Sequence, residues 1–228
     1  MKDEVYDYIV IGSGFGGSVA SLRLVEKGYK VLTIEQGKRF KSEDFPRSNW
    51  NLPKYLWIPS LRFFGFQKLS FFTTASILSG TGVGGGSLVY ANTLYVPSDK
   101  FFSNPLWGRF GDWKKILEPF YDKASFMLGR KKYSKLNTED LVLEEVSKDM
   151  NVHDTFDTVN VGVNFGGDIK ETDPYFGGIG PLRNTCTECG GCMVGCRENA
   201  KNTLDKNYLW FAEKLGLKIL SETKAGKI

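Results

Sequence analysis

The chain has 228 residues, 41% hydrophobic and 25% charged, enough for one large or two small domains around a buried core. Its net charge of +4 comes from 30 Lys and Arg against 26 Asp and Glu spread along the whole length; no basic block points to nucleic acid, and there is no low-complexity tract or internal repeat. All four cysteines fall between 186 and 196, which excludes a disulfide-stapled mini-protein. The opening MKDEVYDYIVIGSG enters a strand pattern too early for a cleavable leader. No stretch reaches the roughly 18 to 20 uncharged apolar residues that span a bilayer, since Lys54, Arg62 and Lys68 interrupt the apolar 54–79 region. The expectation is a cytoplasmic protein with no integral membrane segment.

Residues 5–11 are dominated by Val, Tyr and Ile between charge and glycine, the pattern of a buried strand in a parallel sheet. Gly12-Ser13-Gly14-Phe15-Gly16-Gly17 follows, a GxGxxG match at Gly12, Gly14 and Gly17. An apolar helix then runs to Lys27, ended by Gly28, and a second strand over 30–34 leads to Glu35, 18 residues after Gly17. In this context the motif reads as a Rossmann-like dinucleotide site. Gly12 permits the tight turn, Gly14 lets backbone approach a pyrophosphate, and Gly17 lets the helix pack on the strand. The helix N-terminus offers unpaired N–H groups to phosphate. Glu35 is placed to accept hydrogen bonds from the adenosine ribose, and its charge disfavours a 2′-phosphate and hence NADP.

Residues 50–79 carry Trp50, Tyr55, Trp57, Phe63, Phe64, Phe66, Phe71 and Phe72 without helical periodicity. They read either as a lid over a hydrophobic ligand or as ordinary core, and burial is the favoured reading. A second glycine run, GTGVGGGSLVYAN over 80–92, has no counterpart in the needs of an NAD enzyme, whereas a flavin needs a second backbone segment against its pyrophosphate and ring. FAD is therefore preferred to NAD. Amphipathic spacing predicts a core helix over 112–128, kinked at Pro119, and a second helix over 138–150. A short strand over 159–161, a helix over 203–215 and a strand over 217–221 complete the series.

Cys186, Cys189, Cys192 and Cys196 have the spacing C-x2-C-x2-C-x3-C of a bacterial ferredoxin run. The spacing admits one 4Fe-4S cluster, although Arg197 replaces the usual proline and there is no second cysteine group. Structural zinc is a second reading and a metal-free glycine-rich turn a third.

The segments VIGSGFGGSVASLRL at 10–24, IEQGKRF at 34–40, GTGVGGGSLVYANTLYVP at 80–97, DPYFGGIGPLR at 173–183 and GCRENAKNTLDKNYLWFAEKLG at 195–216 resemble the glucose-methanol-choline (GMC) oxidoreductases, in their cholesterol-oxidase-like branch. The resemblance implies FAD-dependent oxidation of the CH–OH group of a sterol or other hydrophobic alcohol, as in steroid metabolism. It implies that Phe15, Gly16 and Glu35 belong to the ADP site and that Gly84, Gly85, Gly86, Ser87 and Asn92 line the flavin. In that family a catalytic histidine and its partner come from a C-terminal half. The single histidine here, His153, lies in a polar stretch away from any matching motif and reads as a surface residue.

The expected architecture is α/β: a Rossmann-like FAD-binding domain with an inserted α+β region, C-terminally incomplete. Its core is 1–97, its insertion 98–185, and 186–228 returns to the FAD domain through the cysteines, a helix and a strand. The chain is expected to lack catalytic residues and to depend on a C-terminal half or partner subunit. The alternative is an FAD or iron-sulfur electron-transfer module serving a separate subunit.

Overall fold

A computed structural model describes residues 4–166 and 172–227, which divide into two compact units, Met1–Asn92 with Val163–Ile228, and Thr93–Gly162. In the first unit, strand β1 (Tyr8–Ile11) turns into helix α1 (Phe15–Glu26) and returns as β2 (Val31–Ile34). Parallel β1 and β2 pair with Tyr8 opposite Val31. A third parallel strand, formed much later in sequence, pairs on the far side of β2. The apolar β2 side chains and the tightly spaced glycine turn bring α1 against the sheet. Any Cβ on Gly17 would lie 1.9 Å from the Gly12 carbonyl oxygen, so only glycine permits this approach. Leu22 and Val25 of α1 are buried, and Ser21 Oγ bonds the Gly17 carbonyl and Thr33 Oγ1, both at 2.7 Å.

The reading of β1 as a fully buried strand needs correction. It is an edge strand among the described residues, and Tyr8, Ile9 and Ile11 are exposed because nothing pairs with its outer side. Periodicity reports how apolar a strand is, not whether a neighbour covers it.

The aromatic stretch forms α2 (Leu52–Tyr55), β3 (Trp57–Ile58), β4 (Phe63–Phe64), and an antiparallel hairpin of β5 (Gln67–Phe71) and β6 (Ser76–Gly80). Phe66 is fully buried and, with Phe40, Phe45, Leu88, Val89 and Tyr55, forms an aromatic core with ring centroids 5.0–5.6 Å apart. The expectation of burial fails for Trp50, Phe71 and Phe72, which are 88%, 74% and 62% exposed. Phe71 and Phe72 stand at the turn end of a two-stranded hairpin that has no third strand beside it among the described residues, and Trp50 precedes α2, outside any strand.

The second unit holds α3 (Asp99–Phe102), α4 (Trp113–Met127), β7 (Lys131–Lys132), α5 (Thr138–Asp149) and β8 (Asn160–Val161), with β7 and β8 antiparallel. Asp112 caps α4 by accepting from the Lys115 N–H, and α5 opens on an Asn137/Asp140 capping box. Helix α4 continues through Pro119. Its predicted core face is only partly buried: Met127 is enclosed, while Ile116 and Phe120 are exposed because its helical neighbour within the unit is the four-residue α3.

The chain re-enters the first unit at Val163, makes a turn built on Asp173, then forms α6 (Tyr208–Lys214) and β9 (Lys218–Leu220), the third strand of the sheet. Leu209 and Ala212 of α6 are fully buried, and α6 packs against α1. Asp173 accepts four backbone N–H groups, from Tyr175 and Phe176 on Oδ1 and from Gly178 and Gly180 on Oδ2, at 2.8–3.1 Å. Burial by itself would raise its pKa, but the four donors outweigh it and hold the carboxyl below its ordinary 3.8. The depressed folded pKa makes this stabilisation complete above 3.8 and progressively lost as pH falls below it. Asp173→Asn should therefore cost about 1 kcal/mol at neutral pH, the group being only partly buried. The gap between the variant and the parent protein in denaturant titrations should close as pH falls through the acid range. A gap unchanged with pH would contradict this account.

Candidate functional site

At the carboxyl ends of the parallel strands lies a cleft of about 380 Å³, lined by Ile11, Gly12, Gly14, Ile34, Glu35, Gln36, Gly80, Gly85, Gly86 and Thr223–Ala225. This is where open α/β sheets place their ligands. Its floor is the turn between β1 and α1. Gly14 caps α1 with no side-chain partner and no acidic residue stands in the first turn, so the first N–H groups of the helix have no carboxylate to satisfy them.

The opposite wall is the second glycine run, which forms a 3-10 turn over Gly85–Leu88. The two runs touch backbone to backbone. A Cβ on Gly85, whose φ is +51°, would sit 2.6 Å from the Gly14 Cα. Gly37 makes a similar approach: its Cβ would lie 2.5 Å from the Gly82 nitrogen. The third wall forms where the chain leaves β9, as Glu222 N–H bonds the Gly37 carbonyl at 3.0 Å and Thr223 N–H the Glu35 carbonyl at 2.9 Å.

Glu35 is buried in this wall, 5% exposed. Its Oε2 accepts the Ser13 N–H at 3.1 Å and the Ser13 hydroxyl at 2.7 Å; its Oε1 accepts the Gly37 N–H at 3.0 Å. A carboxylate offers about four acceptor positions, so one on Oε1 remains for a ligand hydroxyl.

Of the residues singled out from the sequence, Gly12, Gly14, Glu35, Gly85 and Gly86 line the cleft, with Phe15, Gly16 and Gly17 in the first turn of α1. Gly84 and Ser87 stand in the supporting layer: Ser87 Oγ donates to the Gly84 carbonyl at 2.7 Å and accepts the Leu204 N–H at 3.0 Å. Asn92 lies apart from the cleft lining, donating from Nδ2 to Cys192 Sγ at 3.0 Å, while its buried Oδ1 has no partner among the described residues. Ser13, Gly37 and Thr223–Ala225 were not legible as site residues. Ser13 occupies a variable position of the motif, and the others join the cleft only through tertiary packing.

Beside Asn92 runs the cysteine segment. Cys186 Sγ accepts the Glu188 N–H at 3.4 Å, and Cys196 Sγ accepts the Ala200 and Lys201 N–H groups, each at 3.3 Å. Among the described residues no group of three or more His, Cys, Asp or Glu is arranged to hold a metal ion. Burial pushes the Cys186 thiol above its ordinary pKa. The buried Lys201 Nζ donates to the carbonyls of Leu88, Tyr90 and Cys192 at 2.9, 3.1 and 2.6 Å, tying this segment to the second glycine run. Arg183, also buried, donates to the Asn199 and Lys201 carbonyls and to Asn202 Oδ1. His153 is exposed, 3.3 Å from Ser147 Oγ and 3.9 Å from Glu144.

Residues 10–51 match an NAD(P)-binding Rossmann-like domain. The chain is 46% identical over 224 residues to a cholesterol oxidase of Acinetobacter baumannii, a match covering 96% of this chain and 40% of the relative. It is 48% identical over 229 residues to a cholesterol oxidase of Mycobacterium tuberculosis, covering 98% of this chain and 39% of the relative. A long-chain-alcohol oxidase, FAO4B of Arabidopsis thaliana, is 29% identical over 98% of this chain and 27% of its own length. The chain thus spans about 40% of the length of the two cholesterol oxidases. The fold is shared with the crystal structure of pyridoxine 4-oxidase from Mesorbium loti, with a TM-score of 0.54 and 15% identity over 96% of this chain and 42% of that one. Among the described residues no helix is long and apolar enough to cross a membrane.

The contact between the glycine runs predicts the effect of filling it. Gly85→Ala should cost about 1–3 kcal/mol through backbone overlap and left-handed strain, read as a fall in thermal midpoint. Gly16→Ala, where a Cβ meets nothing within 4 Å, should change the midpoint far less.

Proposed function

We propose that this chain corresponds to an N-terminal portion of the GMC oxidoreductases, in their cholesterol-oxidase-like branch, and that it binds FAD for oxidation of the CH–OH group of a sterol or other hydrophobic alcohol. The observation that carries the proposal is the convergence of two glycine runs and a buried carboxylate on one cleft. The residues fit the cofactor. The glycine-only approach of Gly85 to Gly14 leaves bare backbone where a side chain would intrude, and Glu35 keeps an acceptor position free. Gly12, Gly14, Phe15, Gly16, Gly17 and Glu35 would hold the ADP half, with the N–H groups of the first α1 turn donating to phosphate. Gly84, Gly85, Gly86, Ser87 and Asn92 are assigned to the flavin half, and the orphaned Asn92 Oδ1 is an acceptor awaiting a donor. FAD, when bound, supplies the oxidising equivalent.

No catalytic base is assigned within these residues, since His153 is exposed and engaged by Ser147 and Glu144. In this reading the base comes from a C-terminal half or partner subunit. The spacing of Cys186, Cys189, Cys192 and Cys196 favours a second reading, an electron-transfer module with one iron-sulfur cluster. Stoichiometric iron in anaerobically purified protein would support it, and metal-free protein would dismiss it.

Titration with FAD followed by flavin absorbance should saturate, and Glu35→Ala should weaken binding at least about tenfold through loss of a charged acceptor. NADP should not compete. Addition of a sterol should leave the flavin of this chain oxidised. Saturable NAD binding without FAD binding would overturn the cofactor assignment, and sterol-dependent bleaching would overturn the placement of the base.

A further inference from the structure

Ser13 is the variable residue between the first two motif glycines, and nothing about a GxGxxG pattern specifies it. It is fully buried, yet its one hydroxyl contacts both Glu35 and two residues of the second glycine run. Oγ donates to Glu35 Oε2 at 2.7 Å, accepts the Gly84 N–H at 3.1 Å, and lies 3.3 Å from the Gly82 carbonyl. A hydroxyl has one proton and two acceptor lone pairs. The short bond to a carboxylate takes the proton, which leaves Gly82 as the weaker alternative and Gly84 as the donor. The Ser13 N–H adds a second bond to the same Oε2 at 3.1 Å.

The consequence is a relay. Glu35 is held by donors on both oxygens, so its remaining acceptor position has a fixed direction, while Gly84, at the head of the flavin-side turn, is pinned to the same hydroxyl. Alanine at position 13 would leave Oε2 with one donor instead of two and the buried Gly84 N–H without this acceptor. The buried core of this unit provides a comparison: Ser21 Oγ also makes two short buried bonds, to Gly17 and Thr33, but touches neither Glu35 nor the second glycine run.

We propose that Ser13 is a positioning residue for the flavin cofactor, acting through one hydroxyl that aligns Glu35 and ties the second glycine run to the first. The assignment rests on reading the cleft as an FAD site. Its test is FAD titration of the whole chain with ADP as competitor, for the parent protein, Ser13→Ala, Ser13→Cys, Ser21→Ala, Glu35→Gln and the Ser13→Ala/Glu35→Gln double variant.

Ser13→Ala should weaken FAD and ADP binding by roughly tenfold to a hundredfold, the range for a hydrogen bond to a charged group. In the Glu35→Gln background the same change should cost several-fold less than in the parent protein, because the charged acceptor is already gone and only the neutral Gly84 bond is lost. Ser21→Ala should lower the thermal midpoint without changing the affinity of the folded protein. Ser13→Cys, nearly isosteric with a weaker donor, should bind with intermediate affinity, and it decides the matter if Ser13→Ala does not fold. Equal affinities for the parent protein and the Ser13 variants, or a full additional loss in the Glu35→Gln background, would overturn the assignment while leaving the FAD site intact. A parent protein that binds neither FAD nor ADP would overturn the FAD reading and this assignment together.

Discussion

The backbone of Gly14 meets that of Gly85, 71 residues further along the chain, at a distance that admits no side chain. Everything that makes the cleft a cleft depends on that contact. It sets the second glycine run against the N-terminus of α1, encloses the space above the turn, and brings the Gly84 N–H within reach of Ser13. A second close approach, Gly37 to Gly82, holds the far side of the cleft, where the chain emerging from β2 meets the same run. Glycine serves here by what it lacks, since a methyl group at either contact would overlap backbone atoms that cannot move aside.

Contacts this close leave little apolar surface to bury, and polar bonds between buried groups take over the work. Ser13 and Glu35 form one such group, and the cations behind the second run form another. Lys201 donates to three carbonyls and Arg183 to two carbonyls and an amide oxygen. Burial draws the Lys201 pKa down to about 8, yet its three carbonyl partners compensate the desolvated ammonium. Such an arrangement is costly to break, because removal of a cation leaves buried carbonyls unpaired. Beside this layer the sulfurs of Cys186, Cys192 and Cys196 accept backbone and amide N–H groups. That pattern suits thiols packed into a turn.

Much of the fold was legible in the sequence because local rules govern it. The strand, turn and helix around Gly12–Gly17, the capped helix at 138, and the late helix and strand that complete the sheet follow from periodicity and capping chemistry. Exposure was less legible. Ile9 and Ile11 of β1, Phe71 of the hairpin and Phe120 of α4 are apolar residues whose pattern predicts burial, yet they face outward because no neighbouring element covers them. An apolar side chain indicates what a surface prefers, and only the packed neighbours decide whether it is covered.

The sequence by itself determined the dinucleotide motif, the carboxylate that follows it, the demand for a second glycine segment and the family resemblance. These depend on residue type and spacing within short windows, where sterics and hydrogen-bonding capacity act locally. Only the tertiary structure decided that Ser13 and Gly37 satisfy Glu35, that Gly37 and Thr223–Ala225 complete the walls, and that Asn92 turns its amide nitrogen to Cys192. Those outcomes join residues from distant parts of the chain. A hydroxyl has many candidate partners in a sequence, and the packing of the sheet, helix and glycine turns leaves it only those within about 3 Å.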